Sequence, residues 1–317
     1  MAFEGMPGYD LINVVRDLDP VEAVRDQEAA ERMRVYPKVV GAGPPDFGCA
    51  EQAGGAWRVL SLGAAEPAGA RVDLAIHLRT AAETSPADAR ELVAAARRLD
   101  PEEDEGEADR ASDWPVAGRR FRIVRVLGFT RFGADGPEPA RATDTEEAPL
   151  KGYPIDPVAP VGPSEAALRL ELLSLVPAAG TVPETERREA VDAVKNHPGV
   201  VLLPPEYTVV EERDAGWSPI TGGSGPGDAR RALAYTFREI LPRFPLPGRP
   251  EPTPGELAEY AAAAGRIEAA AHEVEFVVAG RRYRTIRVVR MIRVGPDGPE
   301  PARPSDESAA DAYFTDD

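Results

Sequence analysis

The sequence predicts an α+β protein in which two copies of one unit, each about 125 residues long, form a pseudo-twofold pair with a mainly antiparallel sheet. The first observation is a repeat: residues 117–144 and 279–306 align without a gap, and 17 of the 28 positions are identical. The second is the order of the predicted elements, which places short strands beside glycine turns and groups the helices against one face. A parallel nucleotide-binding sheet would need regular alternation of strands and helices, which the sequence lacks.

The similarity between the two halves continues upstream of the repeat and indicates a tandem duplication. Trp57 corresponds to Trp217 and Arg71 to Arg230, with an offset that drifts because loops tolerate small insertions. We expect a first unit with an N-terminal arm at 1–145, a Pro-rich linker at 146–163, a second unit at 164–306 and an acidic tail at 307–317.

Composition limits the class of protein. With 317 residues and 43% hydrophobic content, the chain is long enough to bury a core. Its formal net charge of −17 argues against a nucleic-acid or anionic-membrane partner. One cysteine, Cys49, excludes an intramolecular disulfide, and neither a signal peptide nor a membrane-length apolar run is evident. We therefore expect a soluble cytoplasmic protein.

In the first unit, Asp19 and Pro20 predict the start of a helix that ends near Arg34, because Asp is a good N-cap and Pro is tolerated at the first helical position. Residues 71–79 alternate apolar and polar side chains and give the clearest local prediction of a strand. Further strands are predicted at 38–41, 47–51 and 57–62, and a further helix from Ser85 to about Leu99.

The long strands of the repeat are predicted at 117–132 and 276–294 and are followed by glycine turns. Residues 100–113 carry eight acids and one Arg and are predicted to be an exposed loop. In the second unit we expect helices at 183–196 and 253–272 and a hairpin loop at the Gly-rich residues 221–228, whereas 168–176 is open between helix and strand.

Arginines recur at equivalent positions of the two long strands. Arg binds carboxylate or phosphate through two parallel hydrogen bonds, which favours an anion site. The alternative is that these side chains pair with acids on neighbouring strands. The two equivalent tryptophans are open between core anchors and ligand-stacking walls. The candidate ligand-binding residues are Arg122, Arg125, Arg284, Arg287, Trp57 and Trp217.

Catalytic and metal-binding patterns are absent from the sequence. The three histidines lack paired metal-ligand spacing, and Cys49 corresponds to Val209 in the other half, which indicates a small core residue. Residues 221–228 lack the Lys of a phosphate-binding loop. We therefore expect no catalytic residue, no metal and no cofactor.

The repeated motif F/Y-R-x-V/I-R-V, followed by G-x-D-G-P-E-P-A-R-x-S/T-D, resembles an uncharacterised actinobacterial family, one of the domains of unknown function. The resemblance covers most of the chain and implies that such proteins are bacterial. It implies no activity, ligand or catalytic residue.

Three functional hypotheses remain. The favoured one is a non-catalytic binding or interaction protein built as a fused pseudo-dimer, whose partner is another protein or a small anionic ligand. The alternative is an enzyme or sensor that binds a small anion in the cleft between the units through arginines. A nucleic-acid-linked regulator would require a continuous basic face, which a net charge of −17 disfavours.

Overall fold

The computed structural model describes residues 8–101, 106–146, 149–214, 216–244, 251–270 and 272–307. The helices are α1 (Pro20–Val35), α2 (Pro67–Thr84), α3 (Ala89–Leu99), α4 (Pro163–Leu173), α5 (Glu184–Asn196), α6 (Pro226–Tyr235) and α7 (Pro254–Ala269). A short 3-10 helix, Tyr9–Leu11, precedes α1, and a π-helical turn, Thr236–Ile240, continues α6.

The strands of the described residues are β1 (Lys38–Gly41), β2 (Asp46–Ala53), β3 (Ala56–Ala64), β4 (Asp113–Val116), β5 (Arg119–Gly133), β6 (Gly136–Pro137), β7 (Gly199–Arg213), β8 (Gly216–Gly223), β9 (Glu275–Val278), β10 (Arg281–Gly295) and β11 (Gly298–Pro299). They form one curled sheet in the order β3-β2-β5-β10-β7-β8, with the five short strands paired beside β5 and β10. Every pairing between named strands is antiparallel, so the predicted mixture of helices with a mainly antiparallel sheet is confirmed.

Helix starts follow the local sequence signals. The Asp19 side chain accepts hydrogen bonds from the first turn of α1, where Pro20 occupies the first position. Thr253 and Glu256 form a reciprocal capping box at the start of α7. The helix predicted from Ser85 begins later, at Ala89. Residues 168–173, which the sequence left open between helix and strand, are helical and belong to α4.

The strand predicted at residues 71–79 is wrong, because these residues lie within α2. Its buried residues recur at the three- and four-residue spacing of one helical face. Val72 and Ile76, which the alternation assigned to the core, are 40% and 54% exposed. Leu74 and Leu78 fit either periodicity, and packing of the helix on the sheet decides between them.

Two further predictions need correction. Residues 221–228 are not a hairpin loop: they end β8 and enter α6. The strand predicted at 276–294 is divided by an Ala-Gly turn at Ala279 into β9 and β10. The strand predicted at 117–132 begins in the equivalent turn at Ala117, so β5 starts only at Arg119 and the short strand β4 precedes the turn. Both alanines have positive φ, as a two-residue turn that matches strand twist requires.

The acidic segment 100–113 is only partly described. Residues 102–105 lie outside the described part of the chain, and 106–112 contain no helix or strand, as predicted. Asp113 already belongs to β4. The segment is anchored by Asp109, which pairs with Arg98, and by the carbonyl of Arg110, which accepts from Arg71 at 2.8 Å.

The centre of the sheet has a reciprocal register. Leu127 pairs with Met291, and Phe129 pairs with Val289. Val289 and Met291 follow Leu127 and Phe129 by 162 residues, the offset of the repeat, so each pair is the image of the other. Gly128, between them, faces its own counterpart, Arg290.

The two faces of the sheet have different coverings. On β5 and β10, odd-numbered residues face the helices: Phe121 packs with α2 and α3, Tyr283 with α6 and α7, and Met291 with α4. Even-numbered residues such as Val124 face the opposite side and pack with Ile155 of the linker.

The residues that follow β6 and β11, 138–146 and 300–307, are termed the tail segments. Glu138 first continues the hairpin of its own half, donating from its amide to the carbonyl of Arg131 at 2.7 Å. Its carbonyl then accepts from the amide of Arg287 in the other half at 3.1 Å. The second tail mirrors this, because the amide of Arg125 donates to the carbonyl of Glu300 at 3.1 Å. The two halves therefore exchange their tails.

Candidate functional site

Arg122 and Arg284 lie on the sheet face opposite the helices, each against a tryptophan. The guanidinium carbon of Arg122 is 5.1 Å from the centre of the Trp57 ring, and that of Arg284 is 5.0 Å from the Trp217 ring. The two arginines are 3% and 1% exposed, so these cation–π contacts are shielded from water. Four of the six sequence candidates thus form two separate clusters, which we term the junction clusters.

Each junction cluster joins the two halves through the turn before a tail segment. Arg122 donates to the carboxylate of Asp297 at 2.7 Å and to the carbonyl of Pro299 at 2.9 Å. Arg284 makes the equivalent bonds to Asp135 at 2.6 Å and to the carbonyl of Pro137 at 2.8 Å. Asp113 and Glu275, on the short strands β4 and β9, supply a second carboxylate to each arginine.

Glycine is required where each turn meets its tryptophan. An added Cβ at Gly298 would lie 2.4 Å from Nε1 of Trp57, and one at Gly136 would lie 2.6 Å from Nε1 of Trp217. Both glycines also have positive φ. The buried arginines and the tight glycine contacts identify these clusters as structural joints whose charged groups already have protein partners.

In the junction clusters, hydrogen bonds from the arginines favour the ionised form of Asp135 and Asp297. Hydrogen bonds from Arg282 and Arg284 lower the pKa of Asp135 to about 2. Hydrogen bonds from Arg120 and Arg122 lower the pKa of Asp297 well below its usual value. Both carboxylates therefore remain ionised at neutral pH.

Arg125 and Arg287 lie on the opposite face, among the helices, and bind the tail segments. Nε of Arg125 donates to both oxygens of Asp306, at 3.0 and 3.2 Å, and Nε of Arg287 donates to Asp144 at 3.2 Å. Burial lowers the pKa of Arg125, and Arg303 lowers it further. All four arginine candidates therefore have a carboxylate at hydrogen-bonding distance, as expected if they pair with acids.

A cavity of about 360 Å³ lies beside Arg287. Its walls are the inner side of α1, the first turns of α4, the tail segment of the first half, and β7 and β10 of the second half. Apolar contacts come from residues such as Met33, Leu168 and Val289. The charged residues on its walls, four of each sign, are Glu22, Arg25, Asp26, Arg131, Arg141, Asp144, Glu165 and Arg287.

Arg131 lies on the wall of this cavity and is almost completely buried. The residue is 3% exposed, and its two terminal nitrogens donate to Glu171 at 2.8 and 3.1 Å. Among the described residues, its Nε has no hydrogen-bond acceptor, as is also true of Nε of Arg71 and of Arg284. The Nε of Arg131 is itself buried, so the charge of this arginine is directed to Glu171 rather than into the cavity.

Tyr207 adds a hydroxyl at the cavity wall next to Arg287. Burial raises the pKa of this hydroxyl, the Asp144 carboxylate raises it further, and Arg287 opposes the shift. The hydroxyl therefore stays protonated and is able to donate. Asp144 also accepts from the amide of Arg141 at 2.8 Å, which holds the carboxylate in place beside Arg287.

The equivalent positions in the other half are filled differently. Phe47 takes the place of Tyr207 and has no hydroxyl. Arg293, the counterpart of Arg131, donates to the carbonyls of Leu172, Leu173 and Leu175 at 2.9–3.1 Å, at the C-terminal end of α4. Helix α4 and the residues just after it thus bind one of these two arginines, and α4 borders the cavity beside the other.

Sequence reasoning missed most residues of the cavity. Arg287 was a candidate, but Arg131 was placed only in the general set of basic strand residues, and Asp144 was not singled out. The available signal was the difference between the halves, Tyr207 against Phe47. The contribution of α4 could not be inferred, because that helix has no counterpart in the repeat.

Other candidate groups are occupied elsewhere. Sγ of Cys49 donates to the carbonyl of Ala70 at 2.9 Å, and burial raises the pKa of the thiol to about 12, which makes it unreactive at neutral pH. Within the described residues, no group of three or more His, Cys, Asp or Glu side chains is placed to hold a metal ion. In the same ranges, no helix has the length and apolarity that crossing a membrane requires.

The fold and the sites define a mixed helix–strand protein with a curled antiparallel sheet, exchanged tail segments and a polar cavity. The chain belongs to a family of unknown function, DUF5954, whose sequence model matches residues 19–309. This confirms the resemblance to an uncharacterised family, while the actinobacterial origin stays a prediction. No curated protein and no solved structure matches the chain.

Proposed function

We propose that this protein is a non-catalytic binding protein, built as a fused pseudo-dimer, that holds a small ligand in the cavity between the two halves. The observation that carries the proposal is the cavity of about 360 Å³, a volume within the range of small-molecule sites. Arg287, a candidate from the sequence, lies on its wall together with Arg131.

The pseudo-dimer part of the proposal rests on a tandem duplication. The reciprocal register of β5 and β10 and the two matched junction clusters are what a twofold axis through Gly128 and Arg290 would produce. In this interpretation the units are 1–145 and 164–306, joined by the linker at 146–163 and followed by the acidic tail at 307–317.

The non-catalytic part rests on the chemistry of the cavity wall. Its carboxylates have partners: Asp26 accepts from the amide of Ser164 at 2.8 Å, Glu165 pairs with Arg169 at 2.6 Å, and Glu22 pairs with Arg25 at 2.6 Å. Carboxylates committed to protein partners in this way are poorly placed to accept or transfer a proton of a ligand. A cytoplasmic location and the absence of nucleic-acid partners belong to the proposal and rest on cysteine usage and net charge.

The alternative is an enzyme or sensor that uses the same cavity for a small anion. The observation in its favour is that four arginines meet at the cavity wall. A sensor would differ from a simple binding protein in changing its shape or association when the ligand binds.

The binding proposal is tested by thermal unfolding with a broad library of metabolites. A ligand at 100 times its dissociation constant stabilises the folded protein by about 2.7 kcal/mol, so binders raise the melting temperature. We expect such compounds for the wild type and none for Ala29→Phe, in which an aromatic ring from α1 fills the cavity. Equal responses in both proteins, or no response in either, would refute the proposal.

A further inference from the structure

We infer that residues 308–317 of this chain bind to an apolar face of the sheet beside β8, with Phe314 next to Pro219. Residues 308–317 lie outside the described part of the chain, whereas the face belongs to it. The inference rests on the pseudo-dimer part of the proposed function. It does not involve the cavity, whose lining residues are different.

The equivalent face in the first half is covered by the linker. Three linker side chains, Leu150, Tyr153 and Ile155, pack on a cluster that includes Trp57 and Val59. Trp57 is 7% exposed, and Val59 is fully buried. The linker is also bonded to the strand, because the amide of Val59 donates to the carbonyl of Tyr153 at 2.9 Å. An extended segment of the same chain therefore removes this face from water.

The face beside β8 has apolar side chains at the equivalent positions but is more exposed. Its residues, which we term the β8 face, are Val40, Phe132, Trp217, Pro219, Ile286 and Val288. Val40 is 43% exposed, whereas its counterpart Val201 is 2% exposed. Pro219 is exposed, whereas its counterpart Val59 is fully buried. Among the described strands, β8 pairs with β7 alone. An apolar segment that covered the β8 face would be stabilised in proportion to the area it removes from water.

The two tail segments end at equivalent anchors on the helices. Glu146 lies 3.8 Å from Arg230 of α6, and Glu307 pairs with Arg71 of α2. Arg230 and Arg71 occupy matching positions of the two halves. The chain therefore leaves the helices at corresponding points, toward the linker in the first half and toward residues 308–317 in the second.

Phe314 occupies the position that Tyr153 has in the first half. Tyr153 follows its anchor, Glu146, by seven residues, and Phe314 follows Glu307 by the same number. The first span carries the chain from α6 to β3. The second span has the same length, so it is long enough to carry the chain from α2 to β8.

The contact depends on the ring of Phe314. Val59 is the β3 residue bonded to Tyr153, and Pro219 is its counterpart on β8. Proline has no amide hydrogen, so the bond that Val59 donates has no equivalent on β8. The segment is therefore held more weakly than the linker, and the apolar contact of the ring decides whether it binds.

Charge also favours this occupant. Residues 308–317 carry three aspartates and no basic side chain. Lys38 is exposed on β1 and lies directly opposite Phe132, so the two side chains share one face of the sheet. Its ammonium therefore lies at the margin of the β8 face, where it attracts an acidic segment.

Disulfide trapping in the full chain tests the position of Phe314. In Pro219→Cys/Phe314→Cys, the two thiols should lie at the separation that a disulfide needs, and mild oxidation should cross-link them within one chain. The matched control, Ile76→Cys/Phe314→Cys, has its second thiol at an exposed position of α2, the helix that holds Glu307. It should cross-link about tenfold more slowly, because its thiols have a lower effective concentration. Peptide mass spectrometry measures both, and Cys49 is buried and does not compete.

A second measurement leaves the cysteine content unchanged. Phe314→Ala should lower the melting temperature by about 2 °C, because the ring no longer covers the β8 face. Its neighbour Thr315 provides the control, since Thr315→Ala should change the melting temperature by about 0.5 °C or less.

Three results would overturn the inference. Faster cross-linking in the Ile76→Cys control would place the segment on α2, and disulfides between chains would place it on a second copy of the protein. The third result is an equal response of Phe314→Ala and Thr315→Ala. The proposed function fails separately, because its ligand screen concerns the cavity and the pairing of the halves is tested by cutting the chain between them.

Discussion

At the residue scale, the junction arginines differ from surface ion pairs because they are buried. Arg284 is 1% exposed and binds two carboxylates and two backbone carbonyls, Asp135 and Pro137. Surface pairs contribute about 0–1 kcal/mol, but removing one partner of a buried pair costs about 3–5 kcal/mol. Burial cannot be read from the sequence alone, so sequence reasoning would assign these arginines the smaller loss of stability, that of a surface pair.

Replacing Arg284 with Ala should therefore lower the free energy of unfolding by about 3 kcal/mol. The matched control is Arg187→Ala, which removes an exposed pair with Glu184 on α5 and should leave the free energy of unfolding almost unchanged. Urea denaturation of both variants measures the difference. If both variants lose the same small amount, the junction arginines are ordinary surface residues.

Asp135 links the same cluster to pH. Arg282 and Arg284 lower its pKa from 3.8 to about 2 in the folded protein, so its contribution to stability is complete above the unfolded pKa and decreases as pH falls toward the folded pKa. The carboxylate is 65% exposed, which limits the contribution to about 1 kcal/mol.

The wild type should therefore be more stable than Asp135→Asn at pH 7, and the difference in free energy of unfolding should shrink as pH is lowered from 4 toward 2. Urea titrations at several pH values measure this difference. A gap that stays constant, or that widens at low pH, would contradict the assigned hydrogen bonds.

At the element scale, the two outer strands of the sheet, β3 and β8, differ because the Pro-rich segment 146–163 hydrogen-bonds to β3. Along β3, the amide of Val59 donates to the carbonyl of Tyr153 at 2.9 Å, and the amide of Gly152 donates back to Val59 at 2.7 Å. Along β8, the equivalent of Val59 is Pro219, which pairs with Val210 as Val59 pairs with Ala50. Proline has no amide hydrogen, so β8 cannot accept a linker-like segment in the same way.

Replacing Pro219 with Val should restore that donor and make the β8 edge able to pair with another chain. We expect concentration-dependent association of the variant, measured by light scattering after size-exclusion chromatography. Pro115→Val, on the short strand β4, is the control and should elute as the wild type does. A Pro219→Val protein that matches the wild type would show that the edge is protected by something other than the proline.

The elements also show where sequence reasoning succeeds and fails. Capped helices such as α1 and α7 were predictable because their signals are local. Helix α2 was missed because Leu74 and Leu78 suit both a strand and a helix, and only packing on the sheet selects the helix. The cavity depends on α4, which bridges positions far apart in the sequence, so no local pattern contains it.

At the scale of the whole molecule, the exchanged tail segments join the two halves. Each tail bonds to the long strand of the other half and ends on its helices: Glu307 pairs with Arg71 of α2, and Glu146 accepts from the amide of Gly227 in α6 at 2.8 Å. With the junction clusters and the central register of β5 and β10, these contacts make the halves interdependent.

We propose that the two halves form a fused pseudo-dimer held together by the exchanged tail segments. A site-specific protease sequence inserted between Glu147 and Ala148 allows the linker to be cut in the folded protein. Light scattering after size-exclusion chromatography in native buffer should then give the mass of the uncut chain, with the two fragments separating only in denaturant. Fragments that separate in native buffer, each retaining its fold, would contradict the account.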